Sequence, residues 1–147
     1  MIKGVNGAVF KGIMGARLHR LGDEPILIVT HEGFLSLKVS EEVTAQVVEV
    51  LQASPVQLYG IIDLRQATTS FSEMLRIVAQ QSSGAPATFT HPDTYVVLVG
   101  EHVLIRLFQK LMRERKFGSV TLSIFYNMDE ALRAVRQRIR ADAEQVS

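Results

Sequence analysis

At 147 residues the chain is long enough for one domain with a substantial core, since a chain of this size buries roughly two-thirds of the surface its unfolded form exposes. A formal charge of +1 excludes the strongly basic footprint of a general nucleic-acid binder, and the absence of cysteine excludes disulfides, thiolate nucleophiles and Cys-based metal sites. The 47% apolar and 21% charged composition is that of an ordinary globular protein.

The opening Met1-Ile-Lys-Gly-Val-Asn-Gly-Ala lacks the long apolar core of a signal peptide. No apolar run approaches the ~20 residues of a membrane span, so a cytoplasmic protein with no membrane span is expected. Charge is uneven: residues 1–100 carry 7 basic and 9 acidic side chains, residues 101–147 carry 9 and 6. The basic tilt reads as solvated helix faces, with an acidic partner or an anionic membrane surface as the other reading.

In chain order, residues 1–13 hold Gly4, Gly7 and Gly12 and read as an arm or a short first strand, ahead of one domain over 14–147. A strand is expected from Met14 to Arg20, a turn at Leu21–Pro25, and a continuous apolar strand at Ile26–Thr30. His31-Glu-Gly33 is expected to turn the chain into Phe34–Leu37, giving an antiparallel opening. Ser40 followed by Glu41 and Glu42 predicts a helix start, because a hydroxyl caps free amides and acids suit the positive end of the helix dipole. Val43, Val47, Val48 and Leu51 carry that helix to Ser54-Pro55.

A strand at Val56–Asp63 and a helix at Phe71–Gln81 follow, then a strand at Thr94–Val99 and a helix bearing Val103, Leu104, Leu107, Phe108, Leu111 and Met112. Gly118 sits where a glycine that ends a helix belongs. The last unit is a strand at Val120–Tyr126 and a helix at Met128–Ala141, opened by Asn127. Apolar strands alternating with amphipathic helices predict an α/β domain. Its mixed, mostly parallel sheet has about five or six strands, about four helices and N-terminal antiparallel strands.

Gly4-Val-Asn-Gly7 and Gly12-Ile-Met-Gly15 lack the endings and spacing of phosphate-binding or dinucleotide loops. His91-Pro92-Asp93 reads as a turn leading into a strand. His19, His31, His91 and His102 fall in separate segments without metal-ligand spacing, and no Gly-x-Ser-x-Gly nucleophile elbow is present. Neither a metal, a cofactor nor catalysis is expected.

The informative stretch is "GIIDLRQATTSF", Gly60 to Phe71. In a parallel sheet all strand-to-helix loops emerge at one edge, where ligands bind. Asp63–Ser72, Gly100–His102 and Tyr126–Asn127 are therefore expected to be neighbours, with Asp63–Ser72 a loop. Ser70-Phe-Ser-Glu73 has the form of a capping box, in which Ser70 accepts from the amide of Glu73 and Glu73 reaches back to the amide of Ser70. Replacing Ser70 with Ala is then expected to cost roughly 1 kcal/mol. Asp63 and Arg65 read either as a local ion pair or as recognition groups. The candidate binding residues are Asp63, Arg65, Thr68, Thr69, Ser70, Ser72, Glu101 and His102.

With its elements in this order, the chain resembles the STAS-like, SpoIIAA-like superfamily of sulfate-transporter and anti-sigma-antagonist domains, and in particular small bacterial STAS/SEC14-like proteins. The matching text is "PILIVTHEGFLSLKVSEEV", "LYGIIDLRQATTSFSEML", "HPDTYVVLVGEHVLIRL" and "FGSVTLSIFYNMDEAL", spanning Pro25 to Ile139. The resemblance implies a non-catalytic binding or regulatory module that docks a protein partner, or a second copy of itself, at the Asp63–Ser72 edge. Anti-sigma antagonists carry an Asp-Ser-Ser-Gly tetrad at the corresponding helix start, and its second serine is phosphorylated. Here Phe71-Ser72-Glu73-Met74 lies under that tetrad: Ser72 falls on the first serine and Glu73 replaces the phosphorylated one. Thr68, Thr69, Ser70 and Ser72 are the remaining hydroxyls. The SEC14-like comparison implies the alternative, a carrier of a small hydrophobic or lipid ligand in a shallow apolar groove.

Overall fold

The computed structural model describes residues 15–146. Its elements run β1 (Ala16–Arg20), β2 (Ile26–Phe34), α1 (Leu37–Ala53), β3 (Tyr59–Thr68), α2 (Phe71–Gln81), β4 (Val96–Val99), α3 (Val103–Arg113), a 3-10 turn (Arg115–Phe117), β5 (Ile124–Phe125) and α4 (Met128–Val146). The arm or strand expected at 1–13 lies outside the described residues.

The strands form one sheet in the order β1-β2-β3-β4-β5, with β1 antiparallel to β2 and every later pair parallel. Three crossovers step across it in the same direction, so a single crossover hand puts their helices on one face. Neighbouring strand residues point to opposite faces, and the core divides accordingly. Leu27, Val29 and Leu98 pack with Val43 and Val50 of α1, Met74 and Ile77 of α2, and Ile105 and Phe108 of α3. Ile26, Ile28, Ile61, Val97 and Val99 face the other way, onto Ala131 and Val135 of α4. Strands buried on both faces need unbroken apolar runs, which is why ILIV and VVLV carry no alternation.

Helix α4 is the one element packed on its face among the described residues, and polar contacts hold it there. Arg136 binds Glu24 through two hydrogen bonds of 2.7 and 2.8 Å. Tyr59 donates to Asp142 at 2.6 Å, and Arg138 reaches the same carboxylate while lying 4.5 Å from the ring centre of Tyr95. Burial and that carboxylate push the Tyr59 hydroxyl up to about 12.

Several boundaries differ from the sequence reading. Strand β2 does not turn at His31 but runs to Phe34, so no separate strand forms at Phe34–Leu37. Helix α1 begins at Leu37 with Ser36 as its cap, accepting from the Val39 amide at 3.2 Å. Ser40 instead lies buried within the helix and donates to Gln80. Strand β3 continues five residues past Asp63, because the charges read as a loop signal neutralise each other within the strand. Strand β5 pairs only at Ile124 and Phe125; upstream, Val120 N–H donates to the Met112 carbonyl at 2.8 Å and the Leu122 carbonyl accepts from Gln109 at 2.7 Å, drawing that backbone toward α3. Helix α4 also extends to Val146, past the Ala141 expected as its end.

Gly100 ends β4 with φ 152°, and a Cβ there would meet Ile105 Cδ1 at 2.6 Å. Gly100→Ala is predicted to destabilise the domain by roughly 1–3 kcal/mol, read as a lower urea midpoint with unchanged slope.

Candidate functional site

Asp63 and Arg65 sit at an irregularity in the parallel pairing of β2 with β3. Thr30 pairs with Asp63 and Glu32 with Gln66, so His31 faces two residues, Leu64 and Arg65. Such a bulge re-aims side chains. It brings Arg65 back onto Asp63, two residues away, as a paired fork: Nε to Oδ1 at 2.9 Å and a terminal nitrogen to Oδ2 at 2.8 Å. The Arg65 amide also donates to Oδ1 at 3.1 Å. The Asp63 carboxyl is held below the usual carboxylate range by the Arg65 side chain, against the opposing pull of burial. Asp63 is only 6% exposed, so it is a neutralised structural group, and of the pair Arg65 is the one at the surface.

The remaining predicted residues have separate roles. Thr69 donates to the Leu35 carbonyl at 2.6 Å, tying the end of β3 to the start of α1. Ser70 accepts from the Glu73 amide at 3.2 Å, as expected of the cap. Glu73 does not reach back to Ser70: one oxygen accepts from the Leu37 amide at 2.7 Å, the other from Arg76 at 2.7 Å. The first turn of α1 lies within its reach, and the Leu37 amide there has no acceptor within its own helix. Ser72 is exposed, its hydroxyl 3.3 Å from that of Ser70. His102 caps α3 by accepting from the Leu104 amide at 3.0 Å, and Glu101 beside it is exposed. The expected strand-end neighbours do meet: Gly100 N–H donates to the Phe125 carbonyl at 2.9 Å, and Arg106 donates to the Tyr126 hydroxyl at 3.2 Å. His91 forms a turn leading to β4, its Nδ1 accepting from the Asp93 amide at 3.1 Å.

A feature to which the sequence reading assigned no residues lies on the other side of the bulge. Between the sheet and helices α1, α2 and α3 is a cavity of about 170 Å³. Val43, Val47, Leu64, Ile105 and Phe108 border it, and it reaches the surface beside Thr68 and His102. No lysine or arginine lines it. Its buried polar neighbours Ser40 and Gln81 are committed to one network: Ser40 donates to Gln80 at 2.5 Å, Gln80 to Thr44 at 3.0 Å, Gln81 to Gln80 at 3.1 Å, and Gln81 accepts from the Phe89 amide at 3.1 Å.

His31 differs. It borders the cavity at 6% exposure, and its Nδ1 is buried without a hydrogen-bond partner. Desolvation lowers its pKa from the ordinary 6.5 to about 4, so the ring is neutral near pH 7. The signal was present in ILIVTHEGF, where His31 shares a face with Leu27 and Val29 at the strand period of two. Among the described residues no three histidine, aspartate or glutamate side chains converge as a metal site, and no helix is long and apolar enough to cross a membrane.

No protein-family model matches the chain, and no curated protein matches it. Among solved structures it is similar to the 2.25 Å crystal structure of an uncharacterized protein from the DUF3478 family, with a SpoIIAA-like fold, from Shewanella loihica PV-4. The two share 16% identity at a TM-score of 0.51, over 90% of this chain and 96% of that one. The described residues thus form an α/β domain of SpoIIAA-like fold, and the superfamily resemblance drawn from the sequence holds at the level of fold.

His31 makes stability depend on pH. Its folded pKa lies below its unfolded one, so the stabilisation is complete above 6.5 and falls as pH drops toward 4. The expected loss across that window is roughly 3 kcal/mol. Urea melts at about pH 7 and about pH 4.5 check it, with His31→Leu predicted to lose this part of the slope; equal slopes in both proteins contradict it.

Proposed function

We infer that this chain is a non-catalytic binding module whose guest is a small, neutral, apolar molecule held between the sheet and α1–α3. The observation that carries the reading is the cavity of about 170 Å³, apolar in most of its lining and without a cation. An enclosed apolar space of about 150 Å³ is known to admit a benzene-sized guest, so the volume suits one ring and not a lipid with two acyl chains. A carboxylate or phosphate would meet no positive partner inside, and a desolvated anion without one is strongly disfavoured.

A second reading, docking of a protein partner or a second copy, is favoured by a different observation. Phe34, Phe71, Leu75, Val103 and Tyr126 are all exposed, and they belong to strand ends and helix starts at the edge where β3 passes into α2. Large apolar side chains gathered at one edge mark interaction surfaces.

Toluene is the probe for the first reading. Calorimetry is expected to give saturable binding with a negative heat-capacity change, abolished in Val47→Phe, whose larger ring fills the space. Absence of heat and of any shift in thermal midpoint contradicts it. In that case, a sedimenting dimer that Phe71→Asp dissociates would favour the docking reading.

A further inference from the structure

The cavity has a chemical preference built into its wall, and this deepens, and rests on, the reading of the chain as a binder of small apolar molecules. Of the buried polar side chains that border it, Ser40 and Gln81 have their hydrogen-bonding atoms engaged in the network between α1 and α2. Thr44 is likewise occupied, donating to the Ser40 carbonyl at 2.8 Å while accepting from Gln80. Thr69 donates to Leu35. His31 is the buried polar side chain on this wall with an uncommitted ring nitrogen.

The position of its hydrogen follows from burial. Nδ1 is sealed without a partner. An unpaired buried acceptor is better tolerated than an unpaired buried N–H, so in the neutral ring the hydrogen sits on Nε2. A ring bordering the cavity then has a donor, and not an acceptor, to offer a guest. The bulge puts it there: Leu64 and Arg65 together oppose His31, and Leu64 borders the same space.

The geometry points to a guest that is a neutral, single-ring molecule bearing one hydrogen-bond acceptor such as a carbonyl oxygen, with that acceptor bound by Nε2–H of His31 and the ring packed among Val43, Val47 and Phe108. Purely apolar molecules of the same shape would enter without using the histidine, and carboxylates would be rejected for want of a cation.

A matched pair of probes tests this in the full chain: acetophenone, and α-methylstyrene, in which C=CH₂ replaces C=O. Each is titrated into the wild type and into His31→Phe, so that differences in water solubility cancel within each probe. The expected result is that His31→Phe weakens acetophenone by roughly three- to tenfold, the worth of one net hydrogen bond, and leaves α-methylstyrene unchanged or tighter. If both probes bind the wild type and the substitution changes both alike, the role of His31 is overturned while the cavity reading stands. If neither binds the wild type, both fall together. Should His31→Phe not fold, the ¹⁵N resonances of His31 in the wild type decide: a shift of Nε2 with acetophenone but not with α-methylstyrene supports the assignment. Equal responses, or none, overturn it.

Discussion

The parallel pairing of β2 with β3, interrupted once opposite His31, is the constraint on which the rest of this structure depends. Ordinary pairing up to Thr30 and Asp63 builds the two-sided apolar centre of the sheet. Beyond the interruption the strands pair again from Glu32 to Phe34, which carries both past the last buried residues to the starts of α1 and α2. There Thr69 and Glu73 bind the backbone at Leu35 and Leu37. A one-residue slip would send every side chain beyond it to the opposite face. The bulge absorbs that phase change through a locally neutral Asp63–Arg65 pair.

The two sides of the bulge therefore answer different physical needs. On the face covered by α4, two opposite charges lie close together and satisfy each other, which removes most of the penalty of burying Asp63. On the face covered by α1–α3, His31 is buried with nothing to satisfy its Nδ1. Neighbouring side chains leave space there, and a well-packed interior rarely keeps space that size. An unfilled volume and an unsatisfied buried polar atom on one wall are a poor arrangement for stability alone.

Much of this was legible in the residues. The apolar runs at Ile26–Val29 and Val96–Val99 are too short for helices and too uniform for half-exposed strands, so a parallel α/β sheet followed from them directly. Helix α2 lies at Phe71–Gln81, as its period and its Ser70 cap indicate. Three of the misreadings share one cause: polar residues at a boundary say nothing about their partners. Asp63 and Arg65 resembled a loop because, although a local ion pair was one of their two readings, nothing in one dimension shows that such a pair lets the strand continue. Ser40 resembled a cap because its true partner, Gln80, lies on another helix. Glu73 resembled half of a capping box because the competing amide at Leu37 is far away in sequence. A cavity is a statement about several elements at once: the SEC14-like resemblance implied an apolar groove, but the residue that marks its place is a histidine in phase with the apolar face of β2.

The central claim is that the interior between the sheet and α1–α3 is real, apolar and able to take a guest. Crystals held under xenon pressure test it most directly, because xenon enters empty apolar space and needs no specific recognition. Xenon density is predicted within the space bordered by Val43, Leu64 and Phe108. An interior without xenon, with those side chains in mutual contact, would contradict the account.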